Sequence, residues 1–200
     1  MPRYIALFKP FGVLSSFTHE EKPALAVGPS DALTPKRTLS EFNLPKSVYA
    51  AGRLDFDSEG LLILSDDGAF IHRVTDPAHK LPKTYCAQVE GTPTDAMLVP
   101  LRNGLRIKDY STKPCQARIL TEAPTFSDRA KPITPHGPTA WLALILTEGK
   151  KRQVRHMTAA VGLPTLRLVR VAIGPVNLSG LQPGEWRELT AAEVRAFGSS

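Results

Sequence analysis

The chain has 200 residues, with 25 Lys and Arg against 19 Asp and Glu, a formal charge of +6. Hydrophobic residues make up 42% and charged residues 22%, the composition of a globular domain that buries roughly two-thirds of its unfolded surface and needs no covalent staple. Two cysteines, Cys86 and Cys115, exclude a disulfide scaffold, and the apolar run from Trp141 to Leu146 falls far short of the about 20 residues that cross a bilayer.

Tyr4 to Phe8 reads as a short strand that the turn Lys9-Pro10-Phe11-Gly12 ends. Residues 19–47 are polar and Pro-rich, with one helical turn around Ser40 to Asn43. Leu61 to Leu64 reads as a buried strand between Gly60 and Asp66-Asp67-Gly68, and Ala69 to Thr75 as a helix stopped before Pro77. Thr84 to Glu90 alternates as a strand does. Thr94 caps a helix over Asp95 to Arg102, ended by Asn103-Gly104 and weakened by Pro100. Cys115 to Leu120 is another strand. Residues 121–139 hold four prolines, one glycine and no apolar period, and read as a loop. Trp141 to Thr147 is a strand, Glu148-Gly149 a turn, and Arg152 to Val161 a helix with Gly162 at its C-cap. Leu166 to Ile173 and Trp186 to Leu189 follow as strands, and Thr190 opens a last helix, Ala191 to Phe197. Short strands and helices interleaved by many turns predict an α+β fold with a mixed, mostly antiparallel sheet flanked by helices. The N-terminus carries Arg3 and Lys9 and no long apolar core, so no secretory signal is read and the expectation is a soluble, cytoplasmic protein.

Charge falls in two blocks. Leu54 to Asp67 contains Asp55, Asp57, Glu59, Asp66 and Asp67 and no base. Lys150 to Val171 contains Lys150, Lys151, Arg152, Arg155, Arg167 and Arg170 and no acid. Two solvated faces would explain the blocks as charge alone. The acidic block also mimics a calcium-binding loop, with Asp55, Asp57 and Glu59 at positions 1, 3 and 5, Gly60 at 6 and Asp66 at 12. Position 12 lacks the bidentate Glu, and Leu61-Leu62-Ile63-Leu64-Ser65 has the pattern of a strand. The other reading is a loop that presents one carboxylate, kept ionised by a nearby cation such as Arg53 and able to act as a nucleophile, with Asp57 and Glu59 as surface or bracing groups. In the basic block, Lys150, Lys151 and Arg152 precede a helix whose N-terminus favours phosphate, and Arg155 lies one turn on. One of these arginines is free to reach phosphate and another to point inward at a carboxylate. Such a cluster supplies sequence-independent nucleic-acid affinity. Tyr85 is either a half-buried core residue or a stacking platform for a base. His156 reads as a surface residue, and no His/Cys spacing reads as a zinc site.

Lys9-Pro10-Phe11-Gly12, Gly52-Arg53-Leu54-Asp55 through Gly60 to Gly68, Lys83-Thr84-Tyr85, Glu148-Gly149-Lys150-Lys151-Arg152-Gln153-Val154-Arg155 and Leu168-Val169-Arg170 resemble, in order, the motifs of the RsuA family of pseudouridine synthases. The resemblance spans nearly the whole chain. It implies a single catalytic domain over residues 1–200 with a central cleft between two lobes, one of about residues 1–45 plus 138–200, the other about 46–137. The chain opens directly on the first of these stretches, so no N-terminal S4 RNA-binding domain is expected. By matching position, Asp55 corresponds to the catalytic aspartate, Tyr85 to the tyrosine that stacks on the target uracil, and Arg155 to the basic residue that pairs with the aspartate. Leu168 corresponds to the apolar residue packing on the flipped base, and Arg53 to a motif arginine near it. Lys150, Lys151, Arg152 and Arg170 are candidate substrate contacts. His156 departs from the family, which carries a second Arg or Lys there.

The implied reaction isomerises uridine to pseudouridine in large-subunit (23S) ribosomal RNA, by base flipping and covalent catalysis through the aspartate. It gains no atoms or electrons, so neither cofactor nor metal is expected. The expected partner is ribosomal RNA, with no membrane partner and a monomer as the default state. Two competing readings remain: the same reaction on 16S rRNA or tRNA, and a non-catalytic rRNA-binding or ribosome-assembly factor of the same fold.

Overall fold

The computed structural model describes residues 1–18, 36–107, 110–178 and 180–198. In chain order the strands and helices are β1 (Tyr4–Lys9), β2 (Tyr49–Ala50), β3 (Glu59–Ser65), α1 (Gly68–Thr75), β4 (Lys83–Glu90), α2 (Asp95–Asn103), β5 (Arg106–Ile107), β6 (Tyr110–Ser111), β7 (Gln116–Ile119), β8 (Thr139–Leu146), α3 (Gln153–Ala160), β9 (Thr165–Ile173), β10 (Val176–Asn177), β11 (Trp186–Glu188) and α4 (Ala191–Ala196). Nine strands form one sheet in the order β11-β1-β3-β9-β4-β8-β7, with β2 added beside β3 and β10 beside β9. Strands β5 and β6 form a separate hairpin. Every pairing is antiparallel except β3 with β9, so the fold is α+β with a mixed, mostly antiparallel sheet.

Sequence pattern explains which strands lie deepest. All seven residues of β3 are buried. Leu61 and Ile63 face one core with Ala6, Phe70, Val74, Ile173 and Phe197, while Leu62 and Leu64 face another with Ile5, Leu7, Leu39 and Val48. A strand covered on both faces reads as a continuous apolar run rather than an alternation. The third core lies on one face of β4, β8 and β9, where Tyr85, Ala87, Leu142, Leu144 and Leu168 pack against Leu98, Val154 and Met157 from α2 and α3. Asp67 opens α1, its Oδ1 accepting from the backbone N–H groups of Ala69 and Phe70 at 3.0 and 3.1 Å. A Thr190–Glu193 capping box opens α4.

This packing divides the chain at points other than residues 45 and 138. Strand β3 and α1 share cores with β1, β11 and α4, whereas β8, α3 and Leu168 of β9 share theirs with β4. The expected lobes therefore exchange segments. Residues 46–81 belong with the N-terminal strand because β3 pairs with β1 along its whole length, and 139–171 belong with β4 because β8 pairs with β4 over eight positions. Most of residues 19–47, read as polar loop, lie outside the described residues. The helical turn expected there is present as a short 3-10 segment, Leu39–Phe42. Pro100 is accommodated inside α2, and Thr94 caps it without a side-chain hydrogen bond. Among the described residues, no helix is long and apolar enough to cross a membrane.

Among the described strands, the two halves of the sheet pair where β3 and β9 run parallel, over Glu59–Val169 and Gly60–Arg170. Gly60 has φ +111°, and a Cβ there would sit 2.3 Å from the carbonyl oxygen and 2.6 Å from the nitrogen of Arg170. Only glycine combines that backbone conformation with that approach. Gly60→Ala is expected to destabilise the protein by about 2–5 kcal/mol, the sum of left-handed strain and overpacking. Urea denaturation measures it.

Candidate active site

The loop between β2 and β3 is fixed from both sides. Lys9, fully buried at the end of β1, donates from Nζ to the carbonyls of Pro10 and Val13 at 2.9 and 2.7 Å. Burial pushes its pKa down to about 7, against the opposing pull of Glu59, Asp57 and Asp55. The turn that Lys9 holds then donates from Gly12 N–H to the Phe56 carbonyl at 2.9 Å. Ser15 Oγ both accepts from Leu54 N–H, at 3.0 Å, and donates to its carbonyl, at 2.9 Å. Ser58 N–H closes the loop on the Asp55 carbonyl at 3.1 Å. Asp55 thus stands on a turn braced at the residues on either side of it.

Opposite, Glu148 and Gln153 organise the basic turn. Gln153 is buried; its Oε1 accepts from Lys150 N–H at 2.9 Å and its Nε2 donates to Glu148 Oε1. Glu148 also accepts from Lys113 N–H at 2.8 Å. Arg152 ends this turn in a left-handed conformation, φ +54°, one residue before α3. Lys150 lies over the Tyr110 ring, 4.5 Å from its centroid.

A cavity of about 720 Å³ lies between these two turns and over the middle of the sheet. Eight of the nine residues singled out from sequence line it: Asp55, Tyr85, Arg53, Leu168, Lys150, Lys151, Arg152 and Arg170. Arg155 does not. It donates to the carbonyls of Thr165, at 3.1 Å, and Asp57, at 2.7 Å, and its Nε lies 3.4 Å from the Asp57 carboxylate. The direct pair expected between Arg155 and Asp55 is therefore not formed; Arg155 meets Asp57, although the charge of Asp55 still acts on it.

The five acids fall into three groups. Asp66 and Asp67 serve the backbone, accepting from Arg3 N–H and capping α1. Glu59 is buried in a two-point pair with Arg167, at 2.9 and 2.7 Å. Asp57 takes a two-point pair from Arg152, at 2.7 and 2.9 Å, beside its contact with Arg155. Burial works to raise the Asp57 pKa, but the Arg152 hydrogen bonds and the two guanidinium charges outweigh it and hold the carboxyl below its usual range. The Asp55 carboxylate alone among the five makes no hydrogen bond or ion pair among the described residues. It lines the cavity with cations around it and none attached. The calcium-loop reading fails on the same geometry, because its positions 5 to 11 are a buried strand and two of its acids are spent on arginines.

Tyr85 and Leu168 sit on adjacent strands, β4 and β9, and form an apolar wall of the cavity. Sequence reasoning missed Ser15, Asp57 as a hub, Gln153 as a turn-former and Lys83 as a cavity residue. The motifs quoted above contain all of these except Ser15, whose partner lies 39 positions away. His72, Asp76 and His79 bring three metal-ligand atoms within 4.8 Å at the end of α1, a grouping that a His/Cys spacing search does not detect. In the structure Asp76 serves there as the N-cap of the next turn.

An apolar wall, an unattached carboxylate and a basic rim on one cleft suit a flipped nucleotide and its phosphates. A family described as RNA pseudouridylate synthase matches residues 3–160, and the chain belongs to that family, a class of isomerases. It is 53% identical to ribosomal large subunit pseudouridine synthase E of Xanthomonas campestris pv. campestris, over 96% of this chain and 97% of the relative. It is 55% identical to the protein of the same name in Xanthomonas axonopodis pv. citri, over 90% of each. Among solved structures it resembles one described as a pseudouridylate synthase, with a TM-score of 0.77 and 27% identity over 98% of this chain and 74% of the other.

Asp57→Asn is expected to lower turnover about 10- to 100-fold, because Arg152 and Arg155 lose the carboxylate that places them. A partly buried pair broken from one side should also cost about 2 kcal/mol of stability. Since folding depresses the Asp57 pKa, that difference is present at neutral pH and vanishes as pH falls through the lowered value. Chemical denaturation of both proteins across the acid range measures it.

Proposed function

We propose that this enzyme converts uridine to pseudouridine in large-subunit (23S) ribosomal RNA, with Asp55 as the covalent nucleophile. The observation that carries the mechanism is the isolated Asp55 carboxylate in a cavity walled by Tyr85 and Leu168. The observation that carries the target is the 53% identity, over nearly the full length of both chains, to a relative named for the large subunit.

The target uridine leaves its stack, at a cost of a few kcal/mol that stacking on Tyr85 and packing on Leu168 offset. Asp55 attacks either C1′ of the ribose, displacing uracil, or C6 of the base. The C1′–N1 bond breaks, the ring turns, and a C1′–C5 bond forms; the Asp55 carboxylate is released in the process, displaced from C1′ by C5 or eliminated from C6. The proton on C5 goes to solvent and N1 takes one up, so atoms and electrons balance with no redox partner. Arg155 acts through Asp57, placing the loop and supplying positive charge near Asp55. Arg53, Lys150, Lys151, Arg152 and Arg170 offer donors to the RNA backbone around the cleft. A ribosomal RNA substrate places the work in the cytoplasm, and the protein acts as a monomer.

Tritium release from RNA labelled at uridine C5 tests this reading. Unmodified large-subunit rRNA is expected to release about one equivalent, unmodified small-subunit rRNA and tRNA none, and Asp55→Asn should abolish release. Release from another RNA alone overturns the target. Binding without release from any RNA favours an assembly factor over an enzyme. Tyr85→Ala is expected to reduce release about 5- to 150-fold, since a stacked base is worth about 1–3 kcal/mol.

A further inference from the structure

The partly or fully buried cations around the cleft have a carboxylate partner or lie among several acids, with two exceptions. Arg152 and Arg155 meet Asp57, Arg167 meets Glu59, and Lys9 lies on two carbonyls among three acids. Lys83 and Arg170 have no carboxylate partner among the described residues. Both line the cleft, beside Tyr85. Arg170 is only 4% exposed; its Nε donates to the Leu61 carbonyl at 2.8 Å, and its buried Nη2 has no partner. Lys83 makes one hydrogen bond, from Nζ to the Leu81 carbonyl at 3.2 Å. Ser58 Oγ, on the same cavity, is likewise buried without a partner.

Two cations held near each other in a partly desolvated cleft repel. Burial, and then the Arg170 charge, push the Lys83 pKa down. An unmatched buried guanidinium N–H is costly in a finished structure and points to a missing acceptor. The acceptor must carry negative charge to offset two cations, which a uracil carbonyl does not. Arg170 is also fixed where it is, because its backbone meets Gly60 at the parallel junction.

We propose that Lys83 and Arg170, with Ser58 Oγ on the same cavity, form an anion subsite that takes one phosphodiester of the substrate RNA inside the cleft. This rests on the reading of the protein as an RNA-modifying enzyme. It adds Lys83 and Ser58 to the residues that face substrate and separates a deep phosphate contact from the shallow ones at Lys150 and Lys151. The subsite sits next to the Tyr85–Leu168 wall, so the phosphate it takes is one flanking the flipped nucleotide.

The test is filter binding of unmodified large-subunit rRNA to wild type and to Lys83→Met, Lys83→Arg and Ser58→Ala, at salt from about 50 to 200 mM. Methionine keeps the apolar stem and removes the charge. Lys83→Met is expected to weaken binding about 10-fold at the lowest salt, with the difference shrinking as salt rises. The slope of log affinity against log salt should fall by about 0.7 to 1, the value of one phosphate contact. Lys83→Arg should restore both slope and affinity, and Ser58→Ala should weaken binding about 3-fold without changing the slope. Equal slopes for wild type and Lys83→Met overturn the subsite, even if the wild type releases tritium. Absence of tritium release from the wild type overturns the reaction instead, and a lowered slope in Lys83→Met then still supports the subsite.

Discussion

The parallel contact between β3 and β9 at Gly60 and Arg170 is the constraint on which the rest of the structure depends. Each half of the sheet has its own antiparallel pairing and its own core, and among the described residues the halves are joined in register at two residue pairs, with the Glu59–Arg167 and Asp57–Arg152 pairs closing beside them. Antiparallel strands can share a tight turn; parallel ones cannot, so long connections carry the chain between β3 and β9. The acidic loop enters β3 on one side of this seam, and Leu168 and Arg170 leave it on the other. The cleft exists because the seam brings residues about 110 positions apart into register. A side chain at Gly60 would push Arg170 away and open the site along with the sheet.

The seam also decides which charges meet. Glu59 lies beside Val169, so Arg167, two residues earlier on the same face of β9, can close on it. Asp57, two residues earlier, meets the start of α3 instead and collects both Arg152 and Arg155. Three arginines are thereby held by two carboxylates, and Asp55 is left unbound. A guanidinium locked on Asp55 would lower its energy in the resting enzyme and oppose the attack proposed for it. Pairing the arginines with a neighbouring acid keeps their field near Asp55 while leaving its oxygens open. Arg152 stays in a left-handed conformation that costs about 1 kcal/mol or more, and its two-point contact with Asp57 offsets that strain.

Much of this was legible in the chain itself. The long strands and helices follow from periodicity and from Gly, Pro and cap residues, and the quoted motifs brought eight of nine site residues to one cavity. Three things were not legible, each for a physical reason. The lobe division was misread because sequence order does not reveal that β3 turns back to pair with β1. The Arg155–Asp55 pairing was misplaced because Asp55 and Asp57 differ by two positions, and only the turn at residues 55–58 decides which of them points at α3. Lys83 and Ser58 lie inside the quoted motifs, but their types do not mark them out; they matter because both line the cleft, Lys83 with no carboxylate partner among the described residues and Ser58 Oγ with no hydrogen bond.

The central claim is that Asp55, set apart from the arginine-bound acids, forms the covalent bond to substrate. Fluorine at uridine C5 cannot leave as a proton does, so 5-fluorouridine in the target RNA should trap the enzyme during turnover. Proteolysis and mass spectrometry then locate the attachment. A nucleotide adduct is expected on the peptide containing Asp55, absent from Asp55→Asn and still formed, more slowly, by Asp57→Asn. An adduct on another residue, or one that persists in Asp55→Asn, would contradict it.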